Sequence, residues 1–432
     1  MALTRVLSVF KSRRNDLDMT EGNIAGKILQ FALPLMAGSL FQQLYNLVDT
    51  WVIGQTGIDG AYAAVGTMGP VINILIGFFL GLASGAGVII SQQFGAGNEE
   101  RVRKTVHTAL TMTLIMAALF TVIGLLMTPT LLNFMLHNED GGSTVYPHAK
   151  TYLTIYCAGV AGVALATVIA QAVSATLVVI ALLRAKNCVK LTLRNLGIDG
   201  IQLRQIIRVG IPAALQMALT SFANVFVQSY VAGINVVAPD GFTAAEAQAH
   251  CLGGWTSYSK IDMLLFLPVQ ALALAVTTFV GQNLGAGRID RAKRGTKLAF
   301  LMALLAAASL IVVVEIFAHP IASLINKDVY ILEYAVLFLR WISPFYLLCC
   351  VNQIFSAALR GAGNTRAPMI IMLTTFVGVR QIYLYVMSNF ISNDPLPIAF
   401  GYPVGWLACA ITTLVYYFCI FRYENSKRLT NQ

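Results

Sequence analysis

The chain has 432 residues, of which 57% are hydrophobic and 11% are charged, and its formal net charge is +10. Soluble domains carry about 25% charged residues, so this composition excludes an ordinary soluble protein and predicts an all-α polytopic membrane protein. Lysine and arginine lie mostly between apolar segments, which the positive-inside rule explains, so we expect no nucleic-acid partner. The seven cysteines and five histidines show no metal-ligand spacing. We therefore expect no cofactor and no enzymatic activity.

Ten apolar segments follow in chain order, and each is long enough to cross a bilayer, which takes about 20 residues. They are residues 28–53, 61–93, 104–134, 147–183, 206–234, 252–283, 295–325, 331–359, 367–392 and 398–421. The residues before the first segment and every second loop thereafter are basic, while the intervening loops are acidic or nearly neutral. Ten spans with both termini in the cytoplasm fit this alternation.

An internal repeat divides the chain into two lobes. Residues 93–104 match residues 283–294 at an offset of 190, and Pro34 with Asn46 matches Pro212 with Asn224 at an offset of 178. The predicted organisation is a tail (1–27), an N-terminal lobe (28–183), a basic linker (184–205), a C-terminal lobe (206–421) and a second tail (422–432). Parallel repeats of this kind are an architecture of secondary transporters, in which the substrate path runs between the lobes.

The repeat predicts that the N-terminal lobe is short. Ala149 matches Ala335 at an offset of 186, but Gly162 matches Gly405 at 243, which makes the first half 57 residues shorter. No first-half counterpart exists for residues 352–368 or for the span 367–392. The fourth segment is too long for one span and short for two, so we expect one overlong or kinked helix.

Asp49 is the leading functional candidate, because a carboxylate inside a membrane span is costly by a few kcal/mol. At helical spacing Gln42 and Asn46 share its face, with Tyr45 beside them. This polar stripe predicts an ion or substrate site; the alternative is a structural aspartate bonded to a neighbouring helix.

Other candidates lie in the second half. Lys260, Asp262 and Arg380 are charged residues within apolar segments, for which we predict buried ion pairs, since a buried guanidinium needs an acceptor. Met263 and Phe266, with Gln42 and Tyr45, are candidates to line a cavity for flat cationic compounds; core packing or a lipid-facing position is the alternative for each. The paired Gly-Ala-Gly loops lack a Gly-Lys-Ser/Thr ending and are predicted to be tight turns.

These motifs together resemble the MATE (multidrug and toxic compound extrusion) efflux transporters, in the branch close to DNA-damage-inducible protein F. The resemblance covers most of residues 20–421 and is carried by Leu33-Pro34, Asn46-Leu-Val-Asp49, the twin Gly-Ala-Gly loops, Ser343-Pro344-Phe345, Leu359-Arg-Gly-Ala-Gly-Asn-Thr-Arg-Ala-Pro368 and Arg380-Gln-Ile-Tyr383. It implies twelve spans in two six-helix lobes, of which about ten are present here because a helix pair is missing from the first lobe.

The resemblance also implies a function. It predicts a monomer in the bacterial inner membrane that exports cationic or amphiphilic compounds in exchange for H⁺ or Na⁺. Asp49 and Asn46 match first-helix coupling residues, and Thr167 matches a sixth-helix threonine of the same pocket, so these three are the candidate cation site. The alternatives are a truncated copy without transport and a lipid-linked oligosaccharide flippase.

Overall fold

The structure is a computed structural model that describes residues 18–55, 61–136, 163–185, 188–192, 194, 196–234 and 243–421. Side chains within α1, α2, α3 and α4 are described only in part, which excludes those of residues 45–55, 61–73 and 163–171 among others. The described residues contain helices and turns and no strand. The predicted all-α class is confirmed.

Among the described residues, four helices precede the basic linker. They are α1 (Ile24–Gln55), α2 (Ala61–Gly95), α3 (Glu99–Leu136) and α4 (Val163–Arg184). Their bounds agree with the predicted apolar segments, except that residues 147–162 of the fourth segment lie outside the described residues.

The described part of the chain from residue 196 onward contains ten α-helical pieces, several of which continue one another. They are α5 (Gly200–Ala232), α6 (Ala244–Leu265), α7 (Leu267–Gly285), α8 (Ile289–Ser323), α9 (Val329–Ile342), α10 (Tyr346–Gly361), α11 (Arg366–Met372), α12 (Arg380–Val386), α13 (Pro395–Ala399) and α14 (Gly401–Val415). A 3₁₀ turn, Ser343–Phe345, joins α9 to α10, and π-helical stretches follow α11, α12 and α14. Pro344 explains the break between α9 and α10, because proline cannot donate a helical hydrogen bond.

Nine stretches among the described residues are long and apolar enough to cross a membrane, and Ala172–Arg184 is a shorter apolar one. The protein is therefore a multi-pass membrane protein. Its largest described core lies in the second half, where buried side chains from α5, α6, α9, α10, α12 and α14 pack together.

Small residues let α2 and α5 cross in direct backbone contact. A Cβ added to Gly81 would lie 2.2 Å from Ala214 Cα, and one added to Gly85 would lie 2.4 Å from Gly210 Cα. Such separations are shorter than any real carbon contact, so glycine is required at both positions. This crossing joins a first-half helix to a second-half helix.

A second crossing, between the ends of α2 and α7, is reciprocal. A Cβ on Gly95 would lie 1.9 Å from the Gln282 carbonyl oxygen, and one on Gly285 would lie 2.0 Å from the Gln92 carbonyl oxygen. Gly95 and Gly285, like Gln92 and Gln282, are repeat counterparts at the offset of 190. The two halves therefore meet here about a local two-fold axis.

The Gly-Ala-Gly loops are tight turns, as predicted. In the first, Gly97 has φ +72°, and Asn98 N–H donates to the Gln93 carbonyl at 3.0 Å. Gly287 and Gly363 have φ +73° and +82°, with the same bonds one turn back. The left-handed conformation at all three explains the glycine. The third turn has the geometry of the other two although the repeat gave it no first-half counterpart.

We call the region containing these three turns, residues 18–23 and the described part of the linker the basic end. Its parts are hydrogen-bonded together: Gln92 Nε2 donates to the Gly361 carbonyl at 2.9 Å, and Met19 N–H donates to Gln282 Oε1 at 2.8 Å. Polar side chains are buried here, including Gln92, Gln282 and Asn283. The described close approaches between the two halves occur along α2 from Gly77 to Gly95, and Gly95 lies at the basic end.

Helix α4 is packed differently from the others. From Ala172 to Ile180, every side chain except Val179 is exposed. By contrast, most of α7 is buried, including Ala275, Val276 and Phe279 at 0% exposure. An apolar helix exposed on all sides in a membrane protein faces lipid or lacks neighbours.

Candidate functional site

The predicted cation site lies mostly outside the described side chains. Asp49, Asn46 and Tyr45 belong to α1 and Thr167 belongs to α4, but their side chains are not described. Gln42, on the same face of α1, is exposed. The role of these residues in binding H⁺ or Na⁺ remains a prediction.

Asp262, near the end of α6, is the centre of a polar site in the second half. The Tyr346 hydroxyl donates to Asp262 Oδ1 at 2.5 Å, and the Tyr258 hydroxyl lies 3.3 Å from the same oxygen. Both tyrosines are buried, but Asp262 is only partly so. The carboxylate is therefore held by two neutral donors at the edge of the core.

Aromatic rings surround this carboxylate. Trp255 lies 5.2 Å from Tyr258 and 5.5 Å from Tyr402 between ring centroids. Trp406 lies 6.0 Å from Tyr346 and 5.6 Å from Tyr402. Rings at these separations attract one another beyond simple area burial. Together these five residues form what we call the aromatic cage, whose members come from α6, α10 and α14.

Arg380 lies on the other side of the cage and is 1% exposed. Its guanidinium carbon lies 5.1 Å from the Tyr402 ring centroid and 5.2 Å from that of Phe376. Arg380 Nη2 donates to Asn224 Oδ1 at 3.0 Å. Cation–π contact and one neutral acceptor stabilise this buried charge, while its Nε has no partner among the described atoms.

The buried ion pairs predicted at Lys260, Asp262 and Arg380 stay a prediction. The described contacts of these side chains are with neutral groups: Asp262 is bound by two tyrosine hydroxyls and Arg380 by an amide oxygen. Lys260 is half-buried on α6. Ion pairs among the described residues include Lys104–Glu100 and Arg288–Glu21.

Met263 and Phe266 adjoin Asp262 but have different environments. Met263 is 46% exposed, so its side chain is accessible from outside the core. Phe266 joins α6 to α7 and contacts Tyr346 at a ring-centroid distance of 6.4 Å. Phe266 therefore packs partly against the core.

Asn224 and Tyr402 are partners that sequence reasoning did not find. Asn224 had a signal, because the repeat pairs it with Asn46, a predicted site residue. Tyr402 had none, since its contact with Arg380 depends on how α14 packs against α12.

A cavity of about 520 Å³ opens at the basic end between α2, α5 and the Gly363 turn. Its polar lining includes Gln92, Arg204, Gln205 and Arg208, with Val209 among the apolar lining residues. None of the predicted cavity residues borders it. This end of the protein thus presents a concave, positively charged surface.

Comparison with known proteins identifies the family. The chain is 25% identical over 456 residues to "Probable multidrug resistance protein YoeA" of Bacillus subtilis (strain 168), covering 92% of this chain and 94% of the relative. It is 24% identical over 482 residues to "Probable multidrug resistance protein NorM" of Thermotoga maritima, covering 98% of each. Both matched stretches exceed the 432 residues of this chain, so each relative contains segments without a counterpart here.

The fold has solved counterparts. A structure described as a MOP superfamily transporter from Pyrococcus furiosus Vc1 (DSM3638) superposes with a TM-score of 0.80 over 96% of this chain and 99% of that one, at 20% identity. The MatE family model matches residues 34–186 and again residues 212–386. The chain is therefore a member of the MatE family.

Proposed function

We propose that this protein is a secondary active transporter that exports amphiphilic cations in exchange for H⁺ or Na⁺ by alternating access. The observation that carries the proposal is the reciprocal crossing of Gly95 on Gln282 and Gly285 on Gln92. Two repeat units that meet about a local two-fold axis can rock against each other and expose a site between them alternately to each side. The names of the multidrug resistance relatives support the substrate class.

The packing favours one state of that cycle. The described close contacts between halves, from Gly77 to Gly95, close the basic end. We propose that this end faces the cytoplasm, since its loops are rich in lysine and arginine, and that the protein is a monomer of the bacterial inner membrane. A closed cytoplasmic end is the arrangement expected of an outward-facing state.

Coupling requires a carboxylate that exchanges cations during the cycle. Asp49, with Asn46 and Thr167, is our proposal for the first half. Asp262 is a second candidate, because both its bonds come from hydroxyl groups that can rotate. Protonation would let the carboxyl donate a hydrogen bond instead of accepting two, and Na⁺ would bind its oxygens.

The aromatic cage would favour a cationic substrate once its rings separate during transport, since four of its five members are buried in this state. Tyrosine and tryptophan faces attract cations within about 6 Å of the ring, and Asp262 supplies a negative charge beside them. Met263, exposed next to Asp262, adds an adaptable apolar contact of the type found at promiscuous binding surfaces.

Ethidium efflux tests this proposal. Everted membrane vesicles containing the protein are given an inward-acidic pH gradient or a Na⁺ gradient, and ethidium uptake is followed by fluorescence. We expect gradient-dependent uptake that Asp49→Asn reduces at least tenfold. Ethidium uptake at the same rate with and without either gradient would contradict antiport. Equal gradient-dependent uptake rates in wild type and Asp49→Asn would show that Asp49 does not couple transport to the cation.

A non-transporting membrane protein is the second candidate, favoured by the exposure of α4. Eight of the nine side chains from Ala172 to Ile180 are exposed, as expected if a helix pair that would cover α4 is absent. Binding of ethidium without gradient-driven movement would support this candidate. A flippase of lipid-linked oligosaccharides is a further alternative, since Arg204 and Arg208 line the cavity at the basic end; transbilayer movement of such a lipid without ethidium efflux would favour it.

A further inference from the structure

The cavity of about 520 Å³ at the basic end has the size and the walls of a ligand site. Its volume falls within the range of about 300–1,000 Å³ that small-molecule sites occupy. Its walls come from Ile89 and Gln92 on α2, from the first turns of α5 and from the Gly363 turn. An occupant would therefore contact both halves of the protein at the end where they are closed together.

Two arginines give this cavity its charge. Arg204 and Arg208 are one helical turn apart on α5, a spacing that puts their Cβ atoms about 5–6 Å from each other, and both side chains are exposed. Neither guanidinium has an ion pair or a hydrogen bond within the described part of the chain. Guanidinium groups bind phosphate oxygens through paired N–H donors, so two of them at this spacing can converge on one phosphate group.

The surroundings of the two arginines leave the cavity positive. Its described lining contains no carboxylate. Asp199 directly precedes the lining residue Gly200, and its Oδ1 accepts the backbone N–H groups of Ile201 and Gln202 at 3.0 Å each. These bonds use Asp199 to cap α5, where the start of the helix itself carries a partial positive charge. The cavity therefore attracts anions.

The length of α5 places the arginines at the level of the lipid headgroups. The helix has 33 residues, which is about 50 Å at 1.5 Å per residue, whereas the hydrocarbon core of a bilayer is about 30 Å thick. Residues 209–232 carry no charge and extend about 36 Å, which is enough to cross that core. Arg204 and Arg208 therefore lie at its boundary, within reach of phosphate groups.

An apolar stripe continues the face of α5 that carries the arginines. Leu215, Phe222 and Phe226 follow Arg208 at intervals of seven, seven and four residues, which keeps them on one side of the helix. All three side chains are exposed. A free phosphate would make no use of this stripe, but a lipid with its phosphate in the cavity could lay its acyl chains along it.

We propose that this cavity binds the phosphate group of an anionic phospholipid such as phosphatidylglycerol. Arg204 and Arg208 hold the phosphate oxygens, and the acyl chains lie against Leu215 and Phe222. Basic pockets between transmembrane helices are suited to anionic headgroups. The lipid stays in its own leaflet, unlike the cargo of a flippase, and its binding needs no cation gradient. Binding can therefore be measured independently of the proposed transport function.

Native mass spectrometry of the full chain in detergent measures this binding directly. We expect one phosphatidylglycerol to bind with a Kd at least tenfold lower than that of phosphatidylcholine with the same chains, which has no net charge. Arg204→Gln combined with Arg208→Gln should remove this preference. Arg103→Gln combined with Arg294→Gln removes the same charge from exposed arginines of α3 and α8 that do not line the cavity, and this control should keep the preference.

Soluble anions separate a lipid site from a site for free phosphate. Inorganic phosphate and glycerol 3-phosphate are each added to the complex of wild type with phosphatidylglycerol. We expect no displacement of the lipid at a hundredfold molar excess, because neither anion contacts the apolar stripe. Displacement by either anion at a concentration equal to that of the lipid would overturn the proposal.

Hydrogen exchange locates the site in wild type without any substitution. In nanodiscs, replacing phosphatidylcholine by phosphatidylglycerol should raise the protection of residues 200–209 several-fold. Residues 289–298, at the start of α8, contain four cations but do not line the cavity, so their protection should change little. An unchanged profile at residues 200–209 would overturn the proposal. So would an equal gain at residues 289–298, or an equal loss of lipid preference in the two double variants, because general surface charge would then explain the binding.

Discussion

Gly95 on α2 lies so close to the carbonyl oxygen of Gln282 on α7 that an added Cβ would be 1.9 Å from that atom. The same approach recurs between Gly285 and Gln92 at 2.0 Å. Backbone contact of this kind leaves no space for a side chain or water, which seals the protein at this point. The seal lies where the three Gly-Ala-Gly turns and residues 18–23 meet, so movement of one half against the other must separate it.

The glycines of the α2–α5 crossing predict a graded effect on stability. Gly81→Leu and Gly85→Leu should each destabilise the protein by about 1–3 kcal/mol or more, because overpacking forces the helices apart. Gly87 lies on the same helix, is exposed and has no atom within 4 Å of an added Cβ. Gly87→Leu is thus the matched control, and thermal unfolding in detergent is the measurement. Equal melting temperatures for Gly81→Leu and Gly87→Leu would contradict the close contact between α2 and α5 at Gly81.

The contact between Arg380 and Asn224 predicts a second stability effect. Asn224→Ala removes the acceptor at 3.0 Å and leaves a buried guanidinium donor unpaired, at a cost of about 1–3 kcal/mol. Asn389 is exposed and donates only to the Tyr385 carbonyl one turn back, so Asn389→Ala should change stability little. A loss in Asn389→Ala as large as that in Asn224→Ala would show that the Arg380 contact does not matter.

Asp262 predicts a change in transport rather than in folding. Asp262→Asn keeps the shape and an acceptor for the Tyr346 hydroxyl but cannot exchange a proton, so gradient-driven ethidium transport should fall at least tenfold. Asp394→Asn, at an exposed position before α13, is the carboxylate control. Transport that is unchanged in Asp262→Asn while Asp49→Asn is inactive would assign coupling to the first half alone.

The start of α6 predicts a local pH dependence. Hydrogen bonds from the Thr243 backbone N–H and then from its hydroxyl lower the pKa of Glu246 below its ordinary value. A carboxylate with a lowered pKa stabilises the folded state above the unfolded pKa, and that contribution is lost as pH falls through the folded pKa. After correction for intrinsic exchange, the protection of amides in residues 243–247 should therefore fall as pH drops below about 4, the ordinary range for glutamate.

Glu246→Gln separates this titration from general acid unfolding. Glutamine can also complete the capping box formed by Thr243 and residue 246, but it does not titrate. The variant should show weaker pH dependence at residues 243–247 and an unchanged profile elsewhere. An identical acid response in the two proteins would exclude Glu246 as the cause.

Much of the fold follows from the order of apolar and basic segments. Hydropathy and loop charge predicted the described spans, and the twin Gly-Ala-Gly sequences predicted turns because glycine alone adopts φ near +70° readily. The third turn, ending at Gly363, carries the same Gly-Ala-Gly-Asn sequence as the first. The same preference of glycine for a positive φ therefore predicts a tight turn there as well.

The partners of the buried charges could not be predicted in this way. Asp262 and Tyr346 are 84 residues apart, and Arg380 and Asn224 are 156 apart. Their contacts depend on helix rotation and packing, which the apolar pattern of a membrane helix barely restricts. The sequence showed that Asp262 and Arg380 needed partners, but it did not show which of several chemically adequate partners each would bind.

A reversible lock at the basic end tests the central claim most directly. An added Cβ at Gly281 would lie 2.9 Å from Ser91 Cβ, which is closer than the 3.5–4.5 Å between disulfide-linked Cβ atoms. After a separation of α2 and α7 by about 0.6 Å, Ser91→Cys with Gly281→Cys should cross-link the two helices on oxidation, and the reduced double variant controls for that separation. Alternating access predicts that the oxidised double variant loses ethidium efflux and that reduction restores it, while Ser91→Cys alone is unaffected by the oxidant. Full efflux from the oxidised, quantitatively cross-linked protein would contradict the account.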